Sequence, residues 1–282
     1  MHKAITLVIR EVIEQLQSMS ARLEAEILLA EVLGKPRSFL HTYPERLLTD
    51  TQMHQLTAWV QRRQRGEPVA YIIGHQDFWN IRLMVTADTL IPRPETELLV
   101  EWVLQKLAAD QPMCIADLGT GSGAIALAIA KERPHWRIYA TDQSAAALQV
   151  ASTNAEALGV TNVRFLQGSW CEPLPQCGFH AILSNPPYIA NADPHLLQGD
   201  VRFEPRSALV AGEDGLQAIR LIMTQAKHYL LADGWLMLEH GYDQGEQVVE
   251  SMRKVGYQQI EDRQDLAGHG RMALGKLLDV DV

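Results

Sequence analysis

The feature that most limits what this chain can fold into is Asp117-Leu118-Gly119-Thr120-Gly121-Ser122-Gly123, set between a strand-like run, Met113 to Leu118, and an unbroken apolar segment, Ala124 to Ala130. Three glycines on alternate positions reach backbone conformations closed to other residues and let the main chain pass close to a ligand at a helix N-terminus. Strand, glycine turn and helix (Ala124 to Lys131) are followed by a second strand, Arg137 to Ala140, and a helix, Ala145 to Leu158, which together make a βαβ unit. Further strands are expected at Val163 to Leu166, His180 to Leu183 and Trp235 to Glu239, with a closing hairpin from Tyr257 to Ile260 and Met272 to Leu277. The pattern predicts an α/β fold with an open, mostly parallel sheet. In such sheets ligands bind at the carboxyl ends of the strands, near the point where the strand order reverses.

The front of the chain reads differently. Ile5, Val8, Ile9, Val12, Ile13 and Leu16 recur at helical spacing, as do Leu23, Ile27, Ala30 and Leu33 after a Ser20 cap. Gly34-Lys35-Pro36 breaks the second helix, and Thr49 with Gln52 has the form of a capping box opening a helix through Leu56, Trp59 and Val60 to Gly66. Phe78, Ile81, Leu83 and Val85 then alternate around Asn80 and predict a short hairpin. The expected organisation is a helical domain over 1–75, a hairpin linker over 76–90 and the sheet domain over 91–282.

Charge and length narrow the function classes. The 282-residue chain carries a net charge of −9, and a negative surface repels phosphate backbones, so stable nucleic-acid binding is not expected. Residues 1–75 hold nine Lys/Arg against eight Asp/Glu, leaving 16 against 26 in the remainder. Arg62, Arg63 and Arg65 are therefore the densest candidate contact for an acidic partner, although a solvated helix end explains them more simply. The run Ala124 to Ala130 is far short of the roughly 20 residues that span a bilayer, so no membrane association is expected. Ala4 to Ile9, stopped by Arg10-Glu11, is too short for a signal segment, which leads to a cytoplasmic expectation. Cys114, Cys171 and Cys177 lack paired metal-ligand spacing, so reduced thiols and no metal are expected.

The candidate site residues follow the strand ends. Gly119-x-Gly121-x-x-Ala124 also fits a dinucleotide fingerprint, so the glycines alone leave a nicotinamide cofactor open beside other adenosine cofactors. Asp117 favours the latter: it would repel a pyrophosphate and attract the ammonium of an amino-acid-bearing cofactor such as S-adenosyl-L-methionine. Asp142 ends the second strand where a carboxylate can accept from both ribose hydroxyls, or cap the next helix. Trp170, after the third strand, offers a ring to an adenine or to the core. Ser184-Asn185-Pro186-Pro187-Tyr188 follows the fourth strand. Two prolines hold the carbonyls of Asn185 and Pro186 in a defined direction, Asn185 supplies an amide and Tyr188 a rigid ring. Such a site suits a planar NH2 group, one hydrogen going to the Asn185 side-chain oxygen and the other to the Pro186 carbonyl, which aims the nitrogen lone pair at an electrophile. Glu239 and His240 end the fifth strand, where a structural role is expected ahead of a catalytic base. Arg93 and Glu95 in Ile91-Pro92-Arg93-Pro94-Glu95-Thr96-Glu97 could cover the cofactor as a lid or belong to a helix start.

The D-L-G-T-G-S-G loop, Asp142 and N-P-P-Y together resemble the class I S-adenosylmethionine-dependent methyltransferases of the amino- and amide-methylating branch. The whole chain resembles the HemK-type release factor glutamine N5-methyltransferases, through the helical front, Gly66 to Ile72, Ile91 to Glu97, N-P-P-Y and Phe203 to Leu209. The resemblance implies a Rossmann-like seven-stranded sheet with a small N-terminal helical bundle. It implies methylation of the Gln in the Gly-Gly-Gln loop of class 1 peptide-chain release factors, with the helical domain helping to dock that protein. Catalytic Asn185, Pro186 and Tyr188, with Pro187, would hold the Gln, and Gly119, Thr120, Gly121, Ser122, Gly123, Asp142, Trp170 and Asn185 the cofactor. Rival readings are a ribosomal-protein glutamine methyltransferase, a nucleic-acid adenine N6-methyltransferase and a nicotinamide-dependent oxidoreductase.

Overall fold

The structure, a computed structural model, describes residues 3–16 and 18–278. The chain divides into two compact units, Met1–Gly74 and His75–Val282.

The first unit holds α1 (Ile5–Leu16), α2 (Ala21–Leu33), α3 (Arg37–Thr42), α4 (Asp50–Gln64) and α5 (Val69–Ile73). Its core is built from Ile5, Val8, Val12, Leu28, Leu29, Leu40, Leu56 and Val60. The capping box forms: Thr49 Oγ1 accepts from the Gln52 amide at 3.2 Å, and Gln52 Oε1 from the Thr49 amide at 3.0 Å. In α2 the buried face differs from the expected one. Ala21, Ala25, Leu28 and Leu29 face inward while Leu23 is 45% exposed, and the Ser20 hydroxyl bonds the Glu24 carboxylate instead of capping the helix. On the same buried face, the Glu24 carboxylate takes the Arg63 guanidinium at 2.9 and 3.1 Å. Arg62 in turn binds Glu67. Two members of the basic cluster thus have carboxylate partners inside the unit, Arg63 largely covered and Arg62 still partly exposed.

The second unit opens with an antiparallel hairpin, β1 (His75–Phe78) and β2 (Ile81–Met84). The hairpin does not stand apart as a linker. Phe78, Ile81 and Leu83 belong to the same core as the sheet, and the Asn154 side chain exchanges hydrogen bonds with both backbone groups of Met84. Its alternating apolar residues need a partner surface, and the sheet's own helices provide it.

There follow α6 (Glu97–Lys106), β3 (Cys114–Leu118), α7 (Ala124–Glu132), β4 (Arg137–Asp142), α8 (Ala145–Leu158), β5 (Val163–Gln167), β6 (Phe179–Ser184), α9 (Gln217–Ala226), β7 (Leu230–Glu239), α10 (Gly245–Val255), β8 (Gln258–Gln264) and β9 (Gly270–Leu277). The seven-stranded sheet has the order β5-β4-β3-β6-β7-β9-β8, with five parallel strands and β9 antiparallel to both neighbours. Alternate strand residues feed opposite faces: Ile115 and Leu183 pack under α6 and α7, Ala116 and Ile182 under α9 and α10. The continuous apolar runs seen in the sequence are the mark of strands buried on both sides. From β3 the chain winds outward through β4 and β5, then crosses back to β6 and β7. The reversal between β3 and β6 is the switch point, and the loops at its carboxyl end form the site.

Among the described residues no helix is long and apolar enough to cross a membrane. Cys114 and Cys177 are free thiols with sulfur atoms 3.5 Å apart, and Cys171 is buried.

Candidate active site

The turn after β3 is made by three left-handed glycines, Gly119 at φ +69°, Gly121 at +55° and Gly123 at +87°. Each has a different reason to lack a side chain. A Cβ on Gly123 would lie 2.8 Å from Leu127 Cδ1, so this glycine lets the loop pack on α7. A Cβ on Gly119 would press on the Trp170 ring at 3.3 Å, whereas one on Gly121 would meet no atom within 4 Å. Gly119 and Gly121 line a cleft of about 690 Å³, partly open to solvent, together with Asp142, Trp170, Asn185 and Pro187.

Asp117 does not reach this cleft. It is fully buried, and its Oδ2 accepts from the Thr120 hydroxyl at 2.6 Å and the Ala126 amide at 3.2 Å. The carboxylate thus shapes the loop from beneath. Burial, aided by the nearby Asp142 charge, pushes its pKa up to about 7 against the opposing pull of those two donors. Its Oδ1 is buried with no hydrogen-bond partner, an acceptor left over beneath the loop. Thr120 and Ser122 are likewise turned inward, Ser122 through its carbonyl to the Asn154 side chain. The seven-residue motif therefore splits into cleft-lining and loop-forming members, which its spacing did not distinguish.

Asp142 lines the cleft and fastens two loops. Its Oδ2 accepts from the Gly121 amide and its Oδ1 from the Ser144 amide, both at 2.9 Å. The cap of α8 is Ser144, whose hydroxyl accepts from the Ala147 amide. Each Asp142 oxygen keeps lone-pair capacity for a further donor. Trp170 adopts φ +48°, and its carbonyl accepts from the Thr141 hydroxyl at 2.8 Å. Trp170 packs on the core beside Gly119 and also lines the cleft.

Across the switch point, the Ser184 hydroxyl donates to the Leu118 carbonyl at 2.7 Å, bringing the end of β6 against the start of the glycine loop. Asn185 and Pro187 reach the cleft. Asn185 Nδ2 donates to Thr96 Oγ1 at 2.9 Å, Thr96 Oγ1 donates to Glu239 Oε2 at 2.6 Å, and the Tyr188 hydroxyl reaches Glu239 Oε1 at 3.4 Å. Glu239 is fully buried, which pushes its pKa up to about 7, and burial likewise raises that of Tyr188. Tyr188 thus stands behind the cleft wall with its hydroxyl on Glu239. Thr96 was not singled out in the sequence, where nothing distinguishes it from a helix-start threonine.

His240 is buried with Nδ1 on the Gly241 carbonyl and Nε2 on Asp262, so its role is structural. Arg93 forms an ion pair with the buried Glu204 of the Phe203 to Leu209 segment, joining two stretches that flank the cleft. Asp88, Thr89 and Leu90 also line it, a contribution hidden in a loop without a motif. Among the described residues no cluster of three metal-ligating side chains occurs.

A strand-end glycine loop, an acidic residue after the next strand and an Asn-Pro-Pro-Tyr turn around one cleft invite comparison with known enzymes. Residues 8–74 match the PrmC N-terminal domain and residues 94–199 the methyltransferase small domain. The release factor glutamine methyltransferase of Coxiella burnetii is 54% identical over 259 residues, covering 92% of this chain and 93% of that protein. The chain belongs to the release factor glutamine methyltransferase family. That of Escherichia coli is 47% identical over 95% of this chain and 97% of its own length. Solved structures share the fold. One is the hMettl16 catalytic domain bound to an RNA hairpin (18% identity, 84% of this chain, 86% of that chain, TM-score 0.56), another a methyltransferase from Pyrococcus furiosus (16%, 78%, 98%, 0.54). The protein is a methyltransferase, and the oxidoreductase reading of the glycines falls.

Proposed function

We propose that the enzyme transfers a methyl group from S-adenosyl-L-methionine to the side-chain amide nitrogen of the Gln in the Gly-Gly-Gln loop of class 1 release factors. The observation that carries this reading is the commitment of Asn185 Nδ2 to Thr96, which leaves the Asn185 oxygen as an acceptor at the cleft. The names of relatives that match nearly the whole chain support the substrate.

The residues present suit that cofactor. Gly121 brings bare backbone to the cleft, Asp142 has spare acceptor capacity for ribose hydroxyls, Trp170 offers a ring to adenine, and Asp117 leaves an unused buried acceptor under the loop. When bound, the cofactor supplies an electrophilic methyl group on a sulfonium. Asn185 Oδ1 and the Pro186 carbonyl accept the two amide hydrogens and orient the nitrogen toward the cleft. An amide nitrogen is a weak nucleophile, so alignment and exclusion of water do most of the work, and the proton leaves late to solvent. The helical unit helps dock the release factor, and the reaction takes place in the cytoplasm with its substrate.

The test is methyl transfer from labelled cofactor to purified release factor, beside a Gln-to-Ala variant of its Gly-Gly-Gln loop, a ribosomal protein and DNA. Label on the wild-type factor alone is the expected result. Label on the variant or on a control alone moves the substrate.

A further inference from the structure

The Asn185 amide has a donor end and an acceptor end, and only the acceptor suits a substrate NH2. What decides the end that faces the cleft lies behind the side chain. Thr96 Oγ1 sits 2.9 Å from Asn185 Nδ2 and 2.6 Å from Glu239 Oε2, the second distance in the range of a hydroxyl bonded to a carboxylate. A hydroxyl has one proton. With it given to Glu239, Thr96 can only accept from Asn185, so the amide turns its NH2 toward Thr96 and its oxygen away.

We propose that Thr96 and Glu239 are positioning residues which, through this one-directional chain of hydrogen bonds, keep the Asn185 oxygen facing the substrate amide. The inference rests on the proposed reaction and deepens it. Neither residue touches the substrate; both act through Asn185. The three come from the turn before α6, the end of β7 and the end of β6, so the sheet's tertiary order creates the chain.

Protonation of Glu239 reverses the logic. A neutral carboxyl donates to Thr96, whose own proton then points at Asn185. The amide rotates to accept it and presents NH2 to a substrate NH2. Of the groups facing Glu239, the Thr96 and Tyr188 hydroxyls and the Arg271 cation on β9 favour the carboxylate while the Glu95 charge opposes it, and burial outweighs the donors, pushing the pKa up to about 7. His240, the residue after β7, is engaged by Gly241 and Asp262.

The test uses the full-length enzyme with labelled cofactor and release factor. Thr96→Val removes the hydroxyl at constant shape and is expected to lower kcat by ~10-fold or more, with KM for both substrates within about twofold. Thr96→Ser restores the hydroxyl and most of kcat. Glu239→Gln, with no proton to gain, lowers kcat and flattens its fall below pH about 7. Thr96→Val at wild-type kcat, or Thr96→Ser as impaired as Thr96→Val, overturns the proposal. Wild-type enzyme that labels no release factor fails the proposed function instead. A double-mutant cycle of Thr96→Val and Glu239→Gln on Tm, which needs no substrate, then decides for the chain: the two losses should be coupled, and additive losses overturn it.

Discussion

The two walls of the cleft are built by different means. On the glycine-loop wall, Asp117 holds Thr120 three residues away and Ala126 nine away, and Asp142 holds Ser144 and Gly121. The carboxylates there bind mainly backbone amides, at separations of at most 21 residues. On the Asn185 wall, the contacts span 89 residues to Thr96, and Thr96 itself reaches 143 residues to Glu239. One wall is assembled by local chain geometry, the other by side chains that only the complete sheet brings together. A local wall tolerates damage elsewhere in the fold, whereas a long-range wall registers any shift between β6, β7 and the turn before α6.

Five substitutions break or sharpen this contrast. The largest effect is expected from Asn185→Ala on the long-range wall. Losing the alignment contact should cut turnover ~100-fold, about 3 kcal/mol, with little change in Tm. Turnover within a few-fold of wild type in the methyl-transfer assay would remove Asn185 from the mechanism.

Next is the pH response of the local wall. The pKa of Asp117 is raised to about 7 from an ordinary 3.8, so the folded state binds its proton more tightly than the unfolded chain. The resulting stability is present below pH about 4 and is lost as pH rises through 7. Asp117→Asn should therefore flatten its share of the decline in Tm between pH about 5 and 8, a difference of ~2 kcal/mol by calorimetry. A decline as steep as wild type would show that Asp117 ionises normally.

The glycines separate stability from binding. Gly123→Ala forces a Cβ to within 2.8 Å of Leu127 and is expected to cost ~1–3 kcal/mol of stability. Gly121→Ala meets open space, so it should cost only ~1 kcal/mol for its left-handed backbone while weakening cofactor binding, measured by calorimetric titration. Equal binding losses in both would merge their roles. The smallest effect belongs to Ser144→Ala, which removes the cap of α8 for ~1 kcal/mol of Tm-derived stability and leaves turnover nearly unchanged. A large loss of turnover would make the local wall as sensitive as the other.

The same contrast governs what could be read in advance. The strand-glycine-helix series was legible because periodicity and backbone freedom are properties of consecutive residues, and α8 runs over Ala145–Leu158 as its spacing predicts. Asp142, Trp170 and Asn185 stood out as candidates because they follow strands, and the sheet places them around one cleft. That the Asp117 side chain lies beneath the loop was not legible, since a strand-end position does not say which way its side chain turns. The hairpin read as a linker because its apolar residues have no visible partner until α8 and the sheet core are in place. In the helical unit, Leu23 kept helical spacing yet faces outward, because Ala21, Ala25, Leu28 and Leu29 supply the buried face and spacing alone does not say which of two overlapping apolar stripes is covered.

The sequence alone determined the α/β order, the glycine turn and the Asn-Pro-Pro-Tyr segment, since hydrophobic period, glycine φ freedom and proline rigidity act within a few bonds. The tertiary structure alone decided that Thr96 and Glu239 stand behind Asn185, that Asp117 lies beneath its loop and that Arg93 meets Glu204. Those outcomes depend on which distant strands pair and which faces they bury, and the energies that settle them arise only when water has been excluded from between segments far apart in the chain.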